Sequence, residues 1–520
     1  MRVFLDKEGR SIIKAGVDLA ANTIKTTLGG AGKTAVIFSG GLVGITKDGV
    51  TVSRNLILEG DLNIGATIIR NATEKQLQES GDGTTAVTIL TQKMLEYGFE
   101  AIEANIDQNE LKKGLDIGVD LVCKEIEKTA VKVDNDYNKI KNIATISANN
   151  DYELGSLISN AFEEIGSDGT LFIEESKTFN TSVKVEKGFR LDRGYISPLL
   201  ADQATLECEL IKPQILLFDG KIDKMNNLIP VLTKMKETKG MEHMHILIIC
   251  ENVEGEALKS LLVNRIKGAI NVTCVNSPFF GQFKDYAMED IAALTGATYI
   301  SLNKGINDFD LKYWGTCEKV FVTRDQTTII GGKGNHEEIE KSLNQIETLI
   351  KNSDSAVEIE FLKKRRSNLK GTLAVISVGA ATEIEMKEKK DRVDDAVRSV
   401  EAAISEGVVV GGGVALARCI KALENIPGIT SKQKVGVDIL KKSLIAPLHQ
   451  IIKNAGVENF EEVANNILSM DVGFGFNVKT GKIENLLETG VIDAAKVCKS
   501  AIKNAGSVSG TILMSESLIC

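Results

Sequence analysis

Gly81-Asp82-Gly83-Thr84-Thr85 places one carboxylate between two glycines, at the junction of two helical patterns. An amphipathic run from Ile64 to Ser80 stops at Gly81, and Thr84-Thr85 opens the next, marked by Val87, Leu90 and Met94. The free N–H groups and partial positive charge of a helix N-terminus bind anions. Glycines let a ligand come close to the backbone. A carboxylate at that point repels a phosphate unless a hard cation lies between them. Mg2+ suits the position, because it takes one or two carboxylates and fills its shell with phosphate oxygens and water. The plainer alternative is that Asp82 only caps a helix after a helix-ending glycine. The five residues therefore need support from the rest of the chain.

Four further stretches carry polar or glycine-rich chemistry. Leu28-Gly29-Gly30-Ala31-Gly32-Lys33-Thr34 looks like a phosphate loop, but Thr27 stands where a Walker A motif needs its first glycine. A helical pattern also precedes it and a strand-like run follows, so a glycine-rich turn or a non-Walker anion nest is the reading. Thr46-Lys47-Asp48-Gly49-Val50 reads as strand–turn–strand, with Asp-Gly as a hairpin turn. Gly411-Gly412-Gly413 follows Val408-Val409-Val410 and precedes a helical run, a context that suits close packing or a nucleotide. Asp394 and Asp395 lie in a helical pattern, Glu383 to Ser405, whose apolar stripe is Met386, Val393, Val397, Val400 and Ile404. Asp395 is off that stripe. It is either a solvated acid or a carboxylate that takes a proton from a water attacking a γ-phosphate.

The elements that must position these residues fall into three blocks. Residues 11–130 read as mostly helical, apart from a β-like interruption from Thr34 to Val52. From about 185 to 371, short apolar runs alternate with helical patterns: Ile215 to Phe218, Ile246 to Ile249, Val272 to Val275, Tyr299 to Leu302 and Val320 to Val322. This α/β signature marks a domain inserted into the helical one, and it closes with a charged helical hairpin over 337–370. Helical pattern returns from Glu383. At 520 residues the chain is long enough for several domains. A net charge of −9 gives no nucleic-acid footprint, and no apolar run is long enough to span a membrane. The eight scattered cysteines and four histidines lack zinc spacing and suit a reducing compartment. The first residues, MRVFLDKEGR, are not those of a signal or transit peptide.

Taken together, these stretches resemble the group I chaperonins, ATP-driven protein-folding rings. The matching blocks are collinear. They include Ile45 to Val50, Gly81 to Thr85, Ala144 to Asn149, Leu191 to Pro198, Glu251 to Leu258, Val378 to Lys390, Gly407 to Leu416 and Gly490 to Asp493. The resemblance implies a multidomain α/β and α chaperonin fold. A helical equatorial domain would span 1–130 and 406–520, a small intermediate hinge domain 131–186 and 372–405, and an α/β apical domain 187–371. It implies ATP and Mg2+ as cofactors, with K+ as a further candidate. By matching position, Thr27, Leu28, Gly29, Gly30 and Lys47 would line the phosphates with Gly83, Thr84 and Thr85. Asp82 would hold Mg2+, Asp48 would sit at the γ-phosphate, and Asp395 with Asp48 would activate water as the catalytic pair. Ser147 would lie near the ribose or phosphates, and Gly412, Asn477, Val478 and Asp493 near adenine and ribose. The implied client groove comprises Tyr195, Leu199, Leu200, Ile229, Leu232, Leu258, Leu262 and Val263. Read as residues alone, these are an apolar core stripe.

The implied partners are unfolded clients, a co-chaperonin lid and a seven-membered homo-oligomeric ring, single or double, with neither nucleic acid nor membrane. Several positions depart from the family pattern. Gly30 stands for its usual Pro, Ala31 for a basic residue, Ala86 for a third Thr, and Leu199 and Leu200 for aromatics. Glu100 and His449 replace basic residues on the face that joins two rings. The chain stops at Cys520 without a Gly-Met tail, and the final strand is expected to be shortened. Such divergence suits a viral or specialised member working in a cytoplasm, the host's if viral. An ATP-gated holdase that captures without refolding is the alternative function, and a metabolic nucleotide enzyme a more distant one.

Overall fold

The computed structural model of the chain describes residues 2–520 except 40–41, 134–135, 149, 167–168, 177, 204, 230–231, 234–244, 280, 301–310 and 353–355. Two compact units result. One comprises Met1–Glu163, Glu175–Ser182 and Val378–Cys520, and the other Glu164–Glu174 and Val183–Ser377. The change of character expected near 185 and 371 falls within a few residues of this division. Of the segments expected to form an intermediate domain, 131–163, 175–182 and 378–405 fall in the first unit and the rest in the second. Within the first unit, the Glu383–Glu406 helix lies against the Tyr137–Ser147 and Ala495–Leu513 helices.

The helical unit is built on long amphipathic helices. Asp6–Ile24, Asn63–Ser80, Thr84–Glu103, Gln108–Thr129 and Ala495–Leu513 bury one core that includes Val17, Ile69, Leu90, Met94, Leu115 and Ile502. At about 25 cal/mol per Å2 of apolar surface removed from water, such a core is the main favourable term in folding. The β-like interruption is a hairpin of Ala35–Ser39 and Leu42–Thr46, joined antiparallel. The strand–turn–strand expectation for 46–50 fails in its second half. Asp48 caps the Gly49–Asn55 helix instead, accepting from the N–H groups of Val50 (3.1 Å) and Thr51 (2.7 Å). Two free helix donors satisfied by one carboxylate favour the helix over a hairpin turn. The final strand, Ser517–Ile519, pairs antiparallel with Val3–Leu5.

The second unit is α/β, as the alternating pattern predicts. Among the described residues, Asn271–Asn276, His245–Cys250, Gln214–Phe218 and Tyr299–Ile300 form parallel neighbours in that order. Gly315–Thr316 joins antiparallel. The expected extension of the 299–302 strand to Ser301 and Leu302 lies outside the described residues. A second, six-stranded sheet includes Ser182–Leu191, Thr327–Ile330, Lys319–Val322 and Cys208–Ile211. The charged hairpin is present as the helices His336–Asn352 and Ala356–Lys370. All eight cysteines are unpaired, and seven are buried.

Candidate active site

A cleft of about 620 Å3 opens in the helical unit. Its lining includes Thr27, Leu28, Gly29, Gly30, Lys47, Asp48, Asp82, Gly83, Thr84, Thr85, Ser147, Asp395, Gly412, Asn477, Val478 and Asp493. Every polar and glycine position singled out for the nucleotide therefore reaches one cavity, from segments up to several hundred residues apart in sequence.

The Asp82 loop is shaped by its glycines. Gly81 and Gly83 sit at φ of 72° and 82°, in the left-handed region that side chains disfavour. Gly81 ends the Asn63–Ser80 helix and Gly83 precedes the Thr84–Glu103 helix. Asp82 is thus held at a helix N-terminus. Its Oδ1 accepts from the Gly83 N–H (2.5 Å), and its Oδ2 from the hydroxyls of Ser147 (3.0 Å) and Ser399 (2.7 Å). Beneath the loop, the Gln76 amide donates to the Asp82 carbonyl oxygen (2.8 Å), and Asn504 donates to Gln76 Oε1 (3.0 Å). Gln76 and Asn504 are buried, so this polar network fixes the loop from the core side.

The second wall is the 25–33 loop. Lys33 N–H donates to the Thr26 carbonyl (2.8 Å) and Gly32 N–H to that of Gly29 (2.9 Å). A Cβ on Gly32 would lie 1.9 Å from the Thr27 carbonyl oxygen, so the tight turn admits no side chain. Asn454 holds the loop from outside, donating to the Lys25 (3.0 Å) and Leu28 (2.9 Å) carbonyls. The Thr27 and Thr85 hydroxyls lie 3.5 Å apart across the cleft floor.

The third wall is acidic. Burial and then the like charges of Asp48 and Asp82 push the Asp395 carboxyl well above the usual range. Burial, with a smaller contribution from Asp82, raises Asp493 to about 7. Asp391, one helical turn before Asp395, is raised by burial and Asp48. Lys47 is lowered by burial. Asp48 is committed on both oxygens, since Oδ2 also accepts from the Thr51 hydroxyl (2.6 Å). At the opposite end, Asn477 closes the Phe474–Asn477 strand and donates to Glu484. Asp493 pairs in register with Val409 on the short ladder beside the triple glycine.

Sequence reasoning missed Ser399, Asn454, Gln76 and Asp391. Asp391 and Ser399 lie one helical turn either side of Asp395, a spacing that was available. Asn454 and Gln76 gave no signal, because their role depends on tertiary contacts.

The apolar positions behave differently. In the α/β unit Leu199, Ile229 and Val263 are each 48% exposed, while Tyr195, Leu232, Leu258 and Leu262 are half-buried. Leu200 is 0% exposed and packs in a core cluster with Leu216, Ile248 and Leu261. It therefore offers no surface to a client, which corrects its assignment to the groove: adjacent residues at a 3-10 turn point in different directions, and the inward one is core. Among the described residues, no helix is long and apolar enough to cross a membrane.

The chain matches the TCP-1/cpn60 chaperonin family over residues 20–520. It also resembles two crystal structures of the chaperonin gp146 from the bacteriophage EL 2 (Pseudomonas aeruginosa), both in the presence of ATP-BeFx. Identity is 22% in each case, over 100% of this chain and 99% of that one, with TM-scores of 0.77 and 0.69.

Proposed function

From the premise that this chain belongs to the TCP-1/cpn60 chaperonin family, we propose that it is an ATP-hydrolysing chaperone that binds non-native proteins and assists their folding in a ring of identical subunits. The observation that carries this reading is the cleft, where Asp82 at a helix N-terminus shares one cavity with Asp48, Asp395 and the 27–30 loop. The crystallisation of the phage chaperonin with ATP-BeFx supports a nucleotide there.

Mg2+ fits the donor set. Among the described residues, no three ligand-type side chains converge to cage a metal. Mg2+ needs only one or two protein carboxylates, with phosphate oxygens and water completing its shell. Asp82 Oδ1 has one N–H partner and so keeps accepting capacity. When bound, Mg2+ would offset the charge of the transferring phosphoryl group. Thr84, Thr85 and the 27–30 backbone would bind the phosphates at free N–H groups. Val478, Asn477, Gly412 and Asp493 would receive the nucleoside. Asp395 would accept the proton of the attacking water, and its raised proton affinity is the property a base needs for that step. Clients would bind at Leu199, Ile229 and Val263, with Tyr195, Leu232, Leu258 and Leu262 beside them.

The test is Asp395→Ala. ATP binding should stay within about twofold while turnover falls about 100-fold or more. Equal turnover in variant and wild type would remove Asp395 from the reaction. Negative-stain microscopy with and without ATP reads the assembly: two stacked layers mean a double ring, and one layer means that client release is driven within a single ring.

A further inference from the structure

We propose that Ser399 is a positioning residue that ties the helix carrying Asp395 to the carboxylate of Asp82. The inference rests on the ATPase reading for its consequence, but not for its structural content. Ser399 lies four residues after Asp395 on the Glu383–Glu406 helix, so the two side chains stack on one face. The Ser399 hydroxyl donates to Asp82 Oδ2 at 2.7 Å. Ser399 itself is 2% exposed, so water has little access to the donor side of the bond. A hydrogen bond to a carboxylate is among the stronger ones available.

The neighbouring residue makes the approach possible. A Cβ on Gly81 would fall 2.3 Å from Arg398 Cβ, so the Arg398 side chain lies against a position that must be glycine. Arg398 is held in turn by Asp394 at 2.8 Å. Consecutive helix residues therefore meet consecutive loop residues, Arg398 against Gly81 and Ser399 against Asp82. This pair of contacts sets both the height and the rotation of the helix, and hence where Asp395 stands relative to Asp82. Ser147 reaches the same oxygen from another helix at 3.0 Å. Together the two hydroxyls occupy Oδ2 and leave Oδ1 turned to the Gly83 N–H. Asp82 is thus oriented by the same bond that places the base.

Ser399 was invisible to the apolar-stripe reading, which treats a serine between Val397 and Val400 as filler. In the molecule it is buried on that helix, and its hydroxyl bonds to the candidate metal ligand.

The test uses the full-length protein and the variants Ser399→Ala and Ser399→Thr. First, hydrogen–deuterium exchange is followed in nucleotide-free, metal-free protein. Ser399→Ala should speed exchange about tenfold in the amides of 395–406, with the distal half of the Thr84–Glu103 helix unchanged. Ser399→Thr, which keeps the hydroxyl, should exchange as wild type. Second, with Mg-ATP varied up to saturation, Ser399→Ala should lose about tenfold in kcat with KM within about twofold, the pattern of an interaction that matters in the transition state. Unchanged exchange in Ser399→Ala overturns the proposal whatever the turnover shows. Faster exchange spread across the whole helical unit also overturns it, because that marks general loosening. The two readings fail separately: Asp395→Ala with normal turnover sinks the hydrolysis reading, while exchange in the nucleotide-free protein decides the Ser399 tie by itself.

Discussion

In the helical unit, Asp48, Asp82 and Asp395 reach one cleft from three separate elements, and the carboxylates of Asp48 and Asp82 are fixed there by directional bonds and, for Asp82, by left-handed glycines on both sides. In the α/β unit, Leu199, Ile229 and Val263 expose about half their surface beside a neighbour, Leu200, that exposes none. The first region specifies one geometry. Two left-handed glycines, a helix cap and a buried amide network leave the carboxylate little freedom. The second specifies only apolar area, which suits a surface meeting clients of many shapes. Substitutions should therefore act on the cleft through position and charge, and on the apolar region through burial.

The sharpest form of this comparison is the Leu199/Leu200 pair. Leu200→Ala removes a fully buried side chain and should cost the α/β unit about 2–5 kcal/mol in urea unfolding. Leu199→Ala should change stability by no more than about 0.5 kcal/mol. It should nevertheless lower capture of an unfolded test protein, read by co-sedimentation. Normal capture by Leu199→Ala would detach that surface from client binding. A small cost for Leu200→Ala would break the assignment of that residue to the core.

The next effect lies in the cleft and follows from charge. Asp493 holds its proton up to about pH 7 in the folded protein, whereas an unfolded aspartate loses it near pH 4. Between those values the folded state binds more protons, so the stability of the helical unit should fall as pH rises from about 4 to about 7 and then level off. Asp395, raised by burial and neighbouring acids, acts in the same direction. Asp493→Asn keeps the shape without the charge and should flatten part of that slope by a few kcal/mol at most. The measurement is denaturant unfolding against pH in nucleotide-free, metal-free protein. A slope identical to that of wild type would show that Asp493 is solvated.

The contrast also explains what could be read from the residues alone. The helix–α/β–helix order was legible because apolar periodicity records which face each element buries. The Asp82 loop was legible because a Gly-Asp-Gly between two helical patterns has few backbone solutions. Asp48 was misread locally as a hairpin turn, since Asp-Gly suits both a turn and a helix cap, and only the packed surroundings choose. Leu200 was misplaced for a related reason: leucine is the same residue in a core and on a binding surface, and one rotation about the chain separates the two. Ser399 offered only its one-turn spacing from Asp395, and Asn454 left no pattern at all, because their partners are hundreds of residues away.

The smallest effect tests how far the cleft's precision extends. The two N–H bonds of the Asn454 amide go to the Lys25 and Leu28 carbonyls, and its oxygen accepts from Gln450 Nε2 at 2.7 Å. Its orientation is therefore determined by three partners, and it fixes the loop before any ligand arrives. Asn454→Ala deletes both loop bonds at a half-buried site, where water can replace part of them. The net loss should be about 1 kcal/mol, or about fivefold in KM for ATP with kcat nearly unchanged, as expected for binding shared by ground and transition states. Asn454→Asp should be worse than Asn454→Ala, because it sets a carboxylate against two carbonyl oxygens. If instead kcat falls as far as kcat/KM does, the 25–33 loop contributes in the transition state, and the directional geometry of the cleft extends beyond its acids to the backbone that faces them.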